Sequence, residues 1–192
     1  MDKKLLRYFS KIMPLTNEES NAIAEGMTVQ QYKKGTILLR EGQMSAGTYF
    51  VLDGCVRQYY LIDGEEKTKN FFTEEQFVIS IKSTSQNVPS THYLECSEDC
   101  TLLVGNRNKE DGLYKRFPRL EEVSRKIMLK TFEKQQHEMA AYLTDTPQQR
   151  YLKLLESRPE LIQRIPQYQL ASYIGVKAES LSRIKKRIAT NK

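Results

Sequence analysis

The residues best suited to chemistry in this sequence lie between positions 179 and 186, where acidic, hydroxyl and basic side chains recur on one side of a predicted helix. The set comprises Glu179, Ser180, Ser182, Arg183 and Lys186. Carboxylate, hydroxyl, guanidinium and ammonium groups are the kinds that read base edges and phosphates in the major groove of DNA. The pattern therefore predicts a surface that binds double-stranded DNA.

Two short helices joined by a tight turn are needed to position this surface. Leu170, Ala171 and Ile174 form an apolar stripe at helical spacing, Gly175 interrupts it, and a second stripe begins at Leu181. Two helices that bury these stripes against each other at a steep angle form a helix-turn-helix unit. We therefore predict such a unit over residues 165–188.

The charge of the chain is concentrated in the same region. Residues 163–192 hold seven Lys or Arg residues and one acid, a net charge of +6, whereas residues 1–117 carry −1. A basic segment of this kind predicts a polyanionic partner, either nucleic acid or a membrane surface. A membrane is the weaker choice because no apolar run approaches the roughly 20 residues that span a bilayer. An ordinary surface hairpin with a solvated basic face remains an alternative.

The composition also argues against several other classes of protein. His92 and His137 are the two histidines of the chain, too few for the metal cluster of a cupin-type enzyme. No nucleophile elbow, phosphate loop or paired-carboxylate motif is present, so we expect neither enzymatic activity nor a metal.

The N-terminal segment lacks the features of a signal peptide, and the three irregularly spaced cysteines are typical of reduced thiols. We therefore expect a cytoplasmic protein.

The first half of the chain has the pattern of short strands separated by glycine-containing turns. We predict two N-terminal helices over residues 1–25 and then eight strands at 29–32, 36–40, 49–52, 56–62, 67–72, 77–81, 93–96 and 101–104. Eight short strands at such spacing favour a compact antiparallel β-roll that can hold one small ligand.

A helical segment joins the two halves. We predict a short helix over 106–117 and a long one over 118–142, which carries two apolar stripes. One stripe contains Leu120, Val123, Ile127 and Thr131, and the other contains Met128, Phe132, Gln135, Met139 and Tyr142. Two stripes predict two partners, the roll and the same helix of a second subunit, although one wide core stripe in a monomer is an alternative. The predicted domains are a sensor at 1–117, a dimerisation helix at 118–143 and a helix-turn-helix domain at 144–192.

The order of these parts resembles the Crp/Fnr family of bacterial transcription regulators. The resemblance rests on TPQQRYLKLLESRPELIQRIPQYQLASYIGVKAESLSRIKK, residues 146–186, and its most specific part is Arg150 to Lys186. The resemblance implies an α+β fold with an N-terminal cyclic-nucleotide-binding-like β-roll, a central dimerisation helix and a C-terminal helix-turn-helix, with the β-hairpin wing expected to be absent or truncated. It also implies a homodimer on a palindromic operator, with RNA polymerase and a small-molecule effector as further expected partners.

The resemblance assigns base reading to three positions, Ala178, Glu179 and Arg183. Glutamate can accept a hydrogen bond from cytosine, and arginine can make two hydrogen bonds to guanine. A salt bridge between Glu179 and Arg183 within the helix is the alternative role of that pair. Ala178 replaces an arginine that the best-known members carry, so we expect a different target sequence. Lys177 replaces the usual Ser or Thr at the helix N-cap, and we hypothesise that it reaches a DNA phosphate.

The predicted sensor departs further from the family. Members that bind cyclic nucleotides use a glutamate for the ribose and an arginine for the phosphate, and the matching positions here are Ser80 and Pro89. A buried phosphate without that arginine loses its main partner, so cyclic AMP is not expected and no cofactor is predicted. The residues left to line a ligand pocket are Ser80, Lys82, Ser90 and Thr91. A sensor that regulates a protein partner without DNA is the alternative function.

Overall fold

The computed structural model describes the backbone of residues 2–190 and the side chains of residues 2–105 and 112–190. The helices are α1 Lys3–Ser10, α2 Asn17–Gly26, α3 Ile81–Gln86, α4 Arg107–Arg116, α5 Arg119–Thr144, α6 Pro147–Ser157, α7 Pro159–Arg164, α8 Gln167–Tyr173 and α9 Ala178–Thr190. The strands are β1 Met27–Tyr32, β2 Ile37–Leu39, β3 Gly47–Asp53, β4 Val56–Ile62, β5 Glu65–Phe72, β6 Phe77–Val78, β7 Tyr93–Cys96 and β8 Cys100–Asn106.

The strands form the two antiparallel sheets of a roll, so the predicted α+β fold is confirmed. One sheet has the order β1-β8-β3-β6 and the other has the order β2-β7-β4-β5. Because successive side chains on a strand point to opposite faces, β3 sends Tyr49 and Val51 into the roll and Phe50 and Leu52 to its outside. The inner core and the outer core of the first sheet are therefore built from alternate residues of the same strand.

Two elements differ from the sequence predictions. The strand predicted at 77–81 is limited to Phe77–Val78, and helix α3 begins at Ile81. A hydrogen bond from the Ser45 N–H to the Ser83 hydroxyl, 2.9 Å long, ties this helix to a distant loop. The other difference is α7, which begins at Pro159 and for which the sequence analysis has no counterpart. Proline fixes a helical φ and lacks only an N–H that the first turn leaves unbonded, so it can begin a helix directly after α6 ends.

The chain groups into two compact units. Unit 1 comprises residues up to 58 together with 71–132, and unit 2 comprises 59–70 together with 133–192. The tip of the β4–β5 hairpin thus belongs with the C-terminal helices. The domain limits predicted from the sequence, after residues 117 and 143, stay a prediction.

The N-terminal helices of unit 1 are fixed to the start of α5 by a buried carboxylate. Thr16 and Glu19 form a capping box at the start of α2. The Glu19 carboxylate also accepts a hydrogen bond from Arg119 at 2.8 Å, and Arg119 donates to the Pro14 carbonyl at 2.7 Å. Burial acts to raise the pKa of Glu19, but the hydrogen bonds from Thr16 and Arg119 outweigh it and lower that pKa. The charged form of Glu19 is therefore the one that this contact stabilises.

A glycine at the β3–β4 turn is required by close packing as well as by its backbone conformation. Gly54 has a φ of +100°, and a Cβ there would lie 2.6 Å from the Asp99 carbonyl oxygen and 2.7 Å from the Cys100 sulfur.

Cys55, Cys96 and Cys100 are buried free thiols in the same part of the roll. The hydrogen bond with Cys100 and burial raise the pKa of Cys96, so its thiol is protonated and unreactive at neutral pH.

We expect Gly54→Ala to lower the free energy of unfolding by about 3 kcal/mol, because backbone strain and overpacking each cost roughly 1–3 kcal/mol. Urea unfolding followed by circular dichroism measures this loss. Gly35→Ala is the matched control, because Gly35 also has a positive φ, +79°, but a Cβ there meets nothing within 4 Å. Equal destabilisation by the two variants would contradict the packing argument.

Among the described residues, no helix combines the length and apolar character that crossing a bilayer requires.

Candidate nucleic-acid interface

The two helices predicted over residues 165–188 are present as α8 and α9 of unit 2, and they bury the predicted stripes. Leu170, Ala171, Ile174 and Leu181 are at most 4% exposed. Tyr151 and Leu154 of α6 and Leu161 of α7 are buried in the same unit. α8 and α9 pack against each other, as positioning α9 requires.

The turn between α8 and α9 needs glycine for two separate reasons. Gly175 has a φ of +77°, and its N–H donates to the Ser172 carbonyl while the Val176 N–H donates to the Ala171 carbonyl. This pair of hydrogen bonds is a Schellman motif, which ends a helix with a residue in the left-handed conformation. A Cβ on Gly175 would also lie 2.8 Å from the Tyr142 hydroxyl oxygen. The direction of α9 is therefore set by a tightly specified turn.

The outward face of α9 carries four of the predicted residues together. At 100° per residue, Glu179, Ser182, Arg183 and Lys186 fall within an arc of about 100°, and all four are exposed. Leu181 lies on the opposite side of the helix and is 1% exposed. The face thus combines one acceptor of hydrogen bonds, one hydroxyl and two cations. Lys192, which contributes to the basic charge of residues 163–192, lies outside the described residues.

Two hydrogen bonds order this face before any ligand arrives. The Arg183 guanidinium donates to the Ser180 hydroxyl at 3.1 Å, and the Gln167 amide donates to the Ser182 hydroxyl at 2.8 Å. Gln167 begins α8, so the second bond links the two helices. Side chains held in this way lose less conformational entropy when they bind.

The start of α9 has the predicted exposed lysine. The Lys177 carbonyl accepts from the N–H groups of Ser180 and Leu181, which places Lys177 at the N-cap with a side chain that supplies no capping oxygen. Ala178, beside it, is half-buried. The pKa of Glu65 is lowered chiefly by its hydrogen bond with Lys67 and by the charge of that lysine, with a smaller contribution from Lys177. The lysine therefore lies near the β4–β5 hairpin as well as at the end of α9.

Arg150 connects the end of α5 to the turn between α8 and α9 and was not singled out by sequence reasoning. Its guanidinium donates to the carbonyl oxygens of Ile174, at 2.8 Å, Asp145, at 2.7 Å, and Tyr142, at 3.1 Å. It also lies 4.8 Å from the centre of the Tyr142 ring, within the range of a cation–π contact. One side chain thus joins the α5–α6 connection to the turn before α9.

Ser172 of α8 holds the edge of the β4–β5 hairpin. Its hydroxyl donates to the Glu66 carbonyl at 2.8 Å and accepts from the Thr68 N–H at 2.9 Å. β5 is an edge strand, so the backbone groups that it turns outward lack a neighbouring strand. A single serine side chain replaces that strand at two groups and fixes α8 to the hairpin.

We expect Ser172→Ala to loosen this contact, because it removes two hydrogen bonds that contribute about 1 kcal/mol each. Hydrogen exchange at the Thr68 amide should become about 5–30 times faster, the factor that 1–2 kcal/mol corresponds to. Mass spectrometry of peptides that cover the hairpin measures this rate. Ser180→Ala removes a hydroxyl from α9 and should leave the Thr68 rate unchanged. An unaltered rate in Ser172→Ala would mean that other contacts hold the hairpin.

Of the four residues predicted to line a ligand pocket, Ser80 and Lys82 lie at the start of α3, and Ser90 and Thr91 lie between α3 and β7. Ser80 and Ser90 are 2% and 4% exposed, whereas Lys82 and Thr91 are exposed. The Ser90 hydroxyl donates to the His92 carbonyl at 2.9 Å and accepts from the His92 N–H at 3.2 Å. Ser90 is thus already bonded to local backbone. That these four residues bind a ligand stays a prediction.

No group of three or more His, Cys, Asp or Glu residues among those that the structure describes could hold a metal ion.

The comparisons with known proteins agree with this architecture. Residues 29–117 match the cyclic nucleotide-binding domain family. No protein of curated function matches the sequence significantly.

Solved structures of similar fold include three bacterial regulators. The c-di-GMP responsive global regulator CLP of Xanthomonas campestris is 19% identical, with a TM-score of 0.72 over 92% of this chain and 93% of that one. A Crp/Fnr family regulator from Eubacterium rectale is 17% identical, with a TM-score of 0.74 over 96% and 88%. FixK2 of Bradyrhizobium japonicum is 19% identical, with a TM-score of 0.69 over 86% and 85%. The resemblance found in the sequence is therefore confirmed at the level of the fold.

Proposed function

Because residues 29–117 match the cyclic nucleotide-binding domain and the chain has the fold of the Crp/Fnr-type regulators, we propose that it is a sequence-specific DNA-binding transcription regulator. It acts in the cytoplasm as a homodimer without enzymatic activity. The observation that carries the proposal is the exposed face of α9, on which Glu179, Ser182, Arg183 and Lys186 lie together.

The proposed DNA contacts divide into two kinds. Glu179 and Arg183 read base edges, because carboxylates accept from the cytosine amino group and guanidinium groups bind guanine with two hydrogen bonds. Lys177 and Lys186 contact phosphates, with Ser180 and Ser182 able to bond to either. Ala178 is half-buried at the start of α9 and offers only a methyl group, which suits apolar contact with a thymine methyl.

The proposed dimer forms through the exposed apolar residues of α5. Phe132, Met139 and Leu143 are 58%, 50% and 72% exposed, and Met128 is 43% exposed. Positions 128, 132, 135, 139 and 142 alternate spacings of four and three residues, the pattern of a coiled-coil seam. A parallel pair of α5 helices places two copies of α9 about one turn of DNA apart, so the operator has two half-sites with centres about 34–36 Å apart.

The sensor is proposed to respond to an effector other than cyclic AMP. Ser80 and Pro89 replace the two groups that hold a cyclic nucleotide. The buried guanidinium of Arg57 forms a salt bridge with Glu95 at 2.6 Å, and a cation that already has this partner is poorly suited to bind a phosphate.

The proposal is tested by selection from a random duplex pool with the purified protein, at physiological salt and without added ligand. We expect an enriched palindrome with G and C at fixed positions and half-sites about 10–10.5 base pairs apart. A binding constant that falls steeply with salt supports the same conclusion. Absence of enrichment, both alone and after addition of a cell extract, would overturn DNA binding and favour a regulator of a protein partner.

We expect Lys177→Ser to change the salt dependence of DNA binding while it stabilises α9. The loss of one phosphate contact lowers the slope of log K against log salt by about one unit per subunit, and a serine cap adds about 1 kcal/mol of stability. Fluorescence anisotropy across a salt series measures the slope. Lys177→Arg should keep it, and an unchanged slope in Lys177→Ser would show that Lys177 does not contact a phosphate.

A further inference from the structure

Unit 1 contains a cavity outside the roll. Its volume is about 550 Å³, and residues of α1, α2, α4, α5 and the β1-β8-β3-β6 sheet line it. Thr48 and Phe77 face it from the sheet, whereas Tyr49 and Val78 belong to the core inside the roll. The cavity therefore lies on the opposite side of the sheet from the roll interior.

The walls of the cavity are mainly apolar and reach into the core. Ile23, Leu120 and Val123 line it, although they are only 7%, 3% and 1% exposed. An apolar cavity of about 150 Å³ takes one benzene, so the space here suits a molecule with two or three rings or a comparable chain. Cavities of about 300–1,000 Å³ with such walls are typical small-molecule sites.

The polar groups of the wall restrict the chemistry of the occupant. Tyr114 and Ser124 line the cavity, and their hydroxyl oxygens are 2.8 Å apart. That hydrogen bond uses one of the two O–H groups, so one donor and several acceptor lone pairs remain for a ligand. Arg116 and Glu25 also line the cavity, and their opposite charges give no preference for an ion of either sign.

A second protein chain does not suit this space. A sphere of 550 Å³ is about 10 Å across, no wider than one helix with its side chains, which is about 10–12 Å. The cavity can therefore accept a single bulky group but not an amphipathic helix. Its small dimensions and buried floor favour a compact small molecule.

We propose that this cavity is a binding site for a neutral, mainly apolar small molecule that carries one hydrogen-bonding group directed to Tyr114 and Ser124. Such a ligand contacts α5 through Leu120, Val123 and Ile127. It therefore packs on the helix that carries the exposed apolar face, which gives it a route to influence that helix. The site does not depend on whether the chain binds DNA.

The test uses N-phenyl-1-naphthylamine, a neutral three-ring probe with one N–H, whose fluorescence rises in apolar surroundings. Titration of the full chain should give saturable binding with one site per chain. Gly112 lines the cavity, and a Cβ there meets nothing within 4 Å. Gly112→Leu should therefore weaken binding about tenfold or more, the effect of a few misplaced methylenes in an apolar pocket, while Gly112→Ala should leave it within about twofold.

Both Gly112 variants improve helix propensity, so folding is not expected to fail. Ile127→Phe, which adds volume to the α5 wall, is a second blocking variant and should also weaken binding. Unsaturable fluorescence, or equal affinities in the wild type and both blocking variants, would overturn the proposal. Weakened binding in the blocking variants with retained binding in Gly112→Ala supports it, whatever the DNA selection shows.

Discussion

Arg183→Ala is expected to reduce discrimination between the operator and unrelated DNA strongly while leaving much of the general affinity. A bidentate contact from arginine to guanine is worth about 1–3 kcal/mol of discrimination, and a dimer loses two of them. The affinity for the selected palindrome should fall about 100-fold or more. The affinity for a scrambled duplex should fall only a few-fold, through the loss of two positive charges. Fluorescence anisotropy with both duplexes at the same salt concentration measures the two effects.

Two control variants separate the shape of the Arg183 side chain from its charge. Arg183→Lys keeps the charge but loses the planar fork, so it should lose specificity nearly as fully as alanine. Arg187→Ala removes a charge from the same helix, about 80° from Glu179 around its axis, and should weaken both duplexes equally. If Arg183→Ala also weakened both duplexes equally, Arg183 would contact phosphate and the proposed base reading would be wrong.

The pair of helices α8 and α9 was predictable because its signals are local. Leu170, Ala171, Ile174 and Leu181 recur at helical spacing, and Gly175 marks the place where the chain must adopt a positive φ. Both features depend on residues within one or two turns of each other. The two helices, their buried stripes and the outward face of α9 could therefore be read from the sequence.

The contacts that hold this unit were not predictable, because they join residues distant in sequence. Ser172 bonds to residues 66 and 68, and Arg150 bonds to the Ile174 carbonyl. Neither residue type marks such a role, since serine and arginine are common on exposed helix faces. α3 was missed for a related reason. Its six residues lack a side-chain N-cap, and one of the bonds that hold it comes from Ser45.

The cavity of unit 1 was also invisible to sequence reasoning. Its walls come from two N-terminal helices, a sheet and two later helices, and each wall residue fits an ordinary core pattern. A sequence pattern indicates which side chains are buried, but it does not indicate where packing leaves a space. The predicted pocket at α3 came instead from alignment to a family motif, which places a ligand only where that motif does.

The apolar residues of α5 had two explanations in the sequence, two stripes with two partners or one wide core stripe, and they differ in exposure. Leu120 and Val123 are buried in unit 1, whereas Leu129, Phe132 and Leu143 are more than half exposed. A single wide core stripe would have buried both sets. Several large apolar side chains left in water along one helix are typical of an interface with another protein surface. The exposure pattern is the one that a dimer seam on α5 requires, and the dimer itself stays a proposal.

Phe132→Glu is expected to convert the proposed dimer into a monomer, because it places a charge opposite its own copy in an apolar seam. Linking two half-site binders raises the affinity for a palindrome about 10²–10⁴-fold, and the variant should lose that factor. Its affinity for a single half-site should stay close to that of the wild type. Sedimentation equilibrium measures the mass, and anisotropy with palindromic and half-site duplexes measures the binding.

Two control variants accompany Phe132→Glu. One keeps an apolar side chain at the seam, and the other introduces a carboxylate away from the seam. Phe132→Leu should remain dimeric, since leucine suits a seam position. Lys130→Glu introduces a carboxylate on the opposite side of α5, because residues 130 and 132 are 200° apart around the helix axis, and should also remain dimeric. A dimeric Phe132→Glu protein that binds the palindrome normally would show that the two copies of α9 are spaced by another surface. The exposed stripe of α5 would then be available to a different partner.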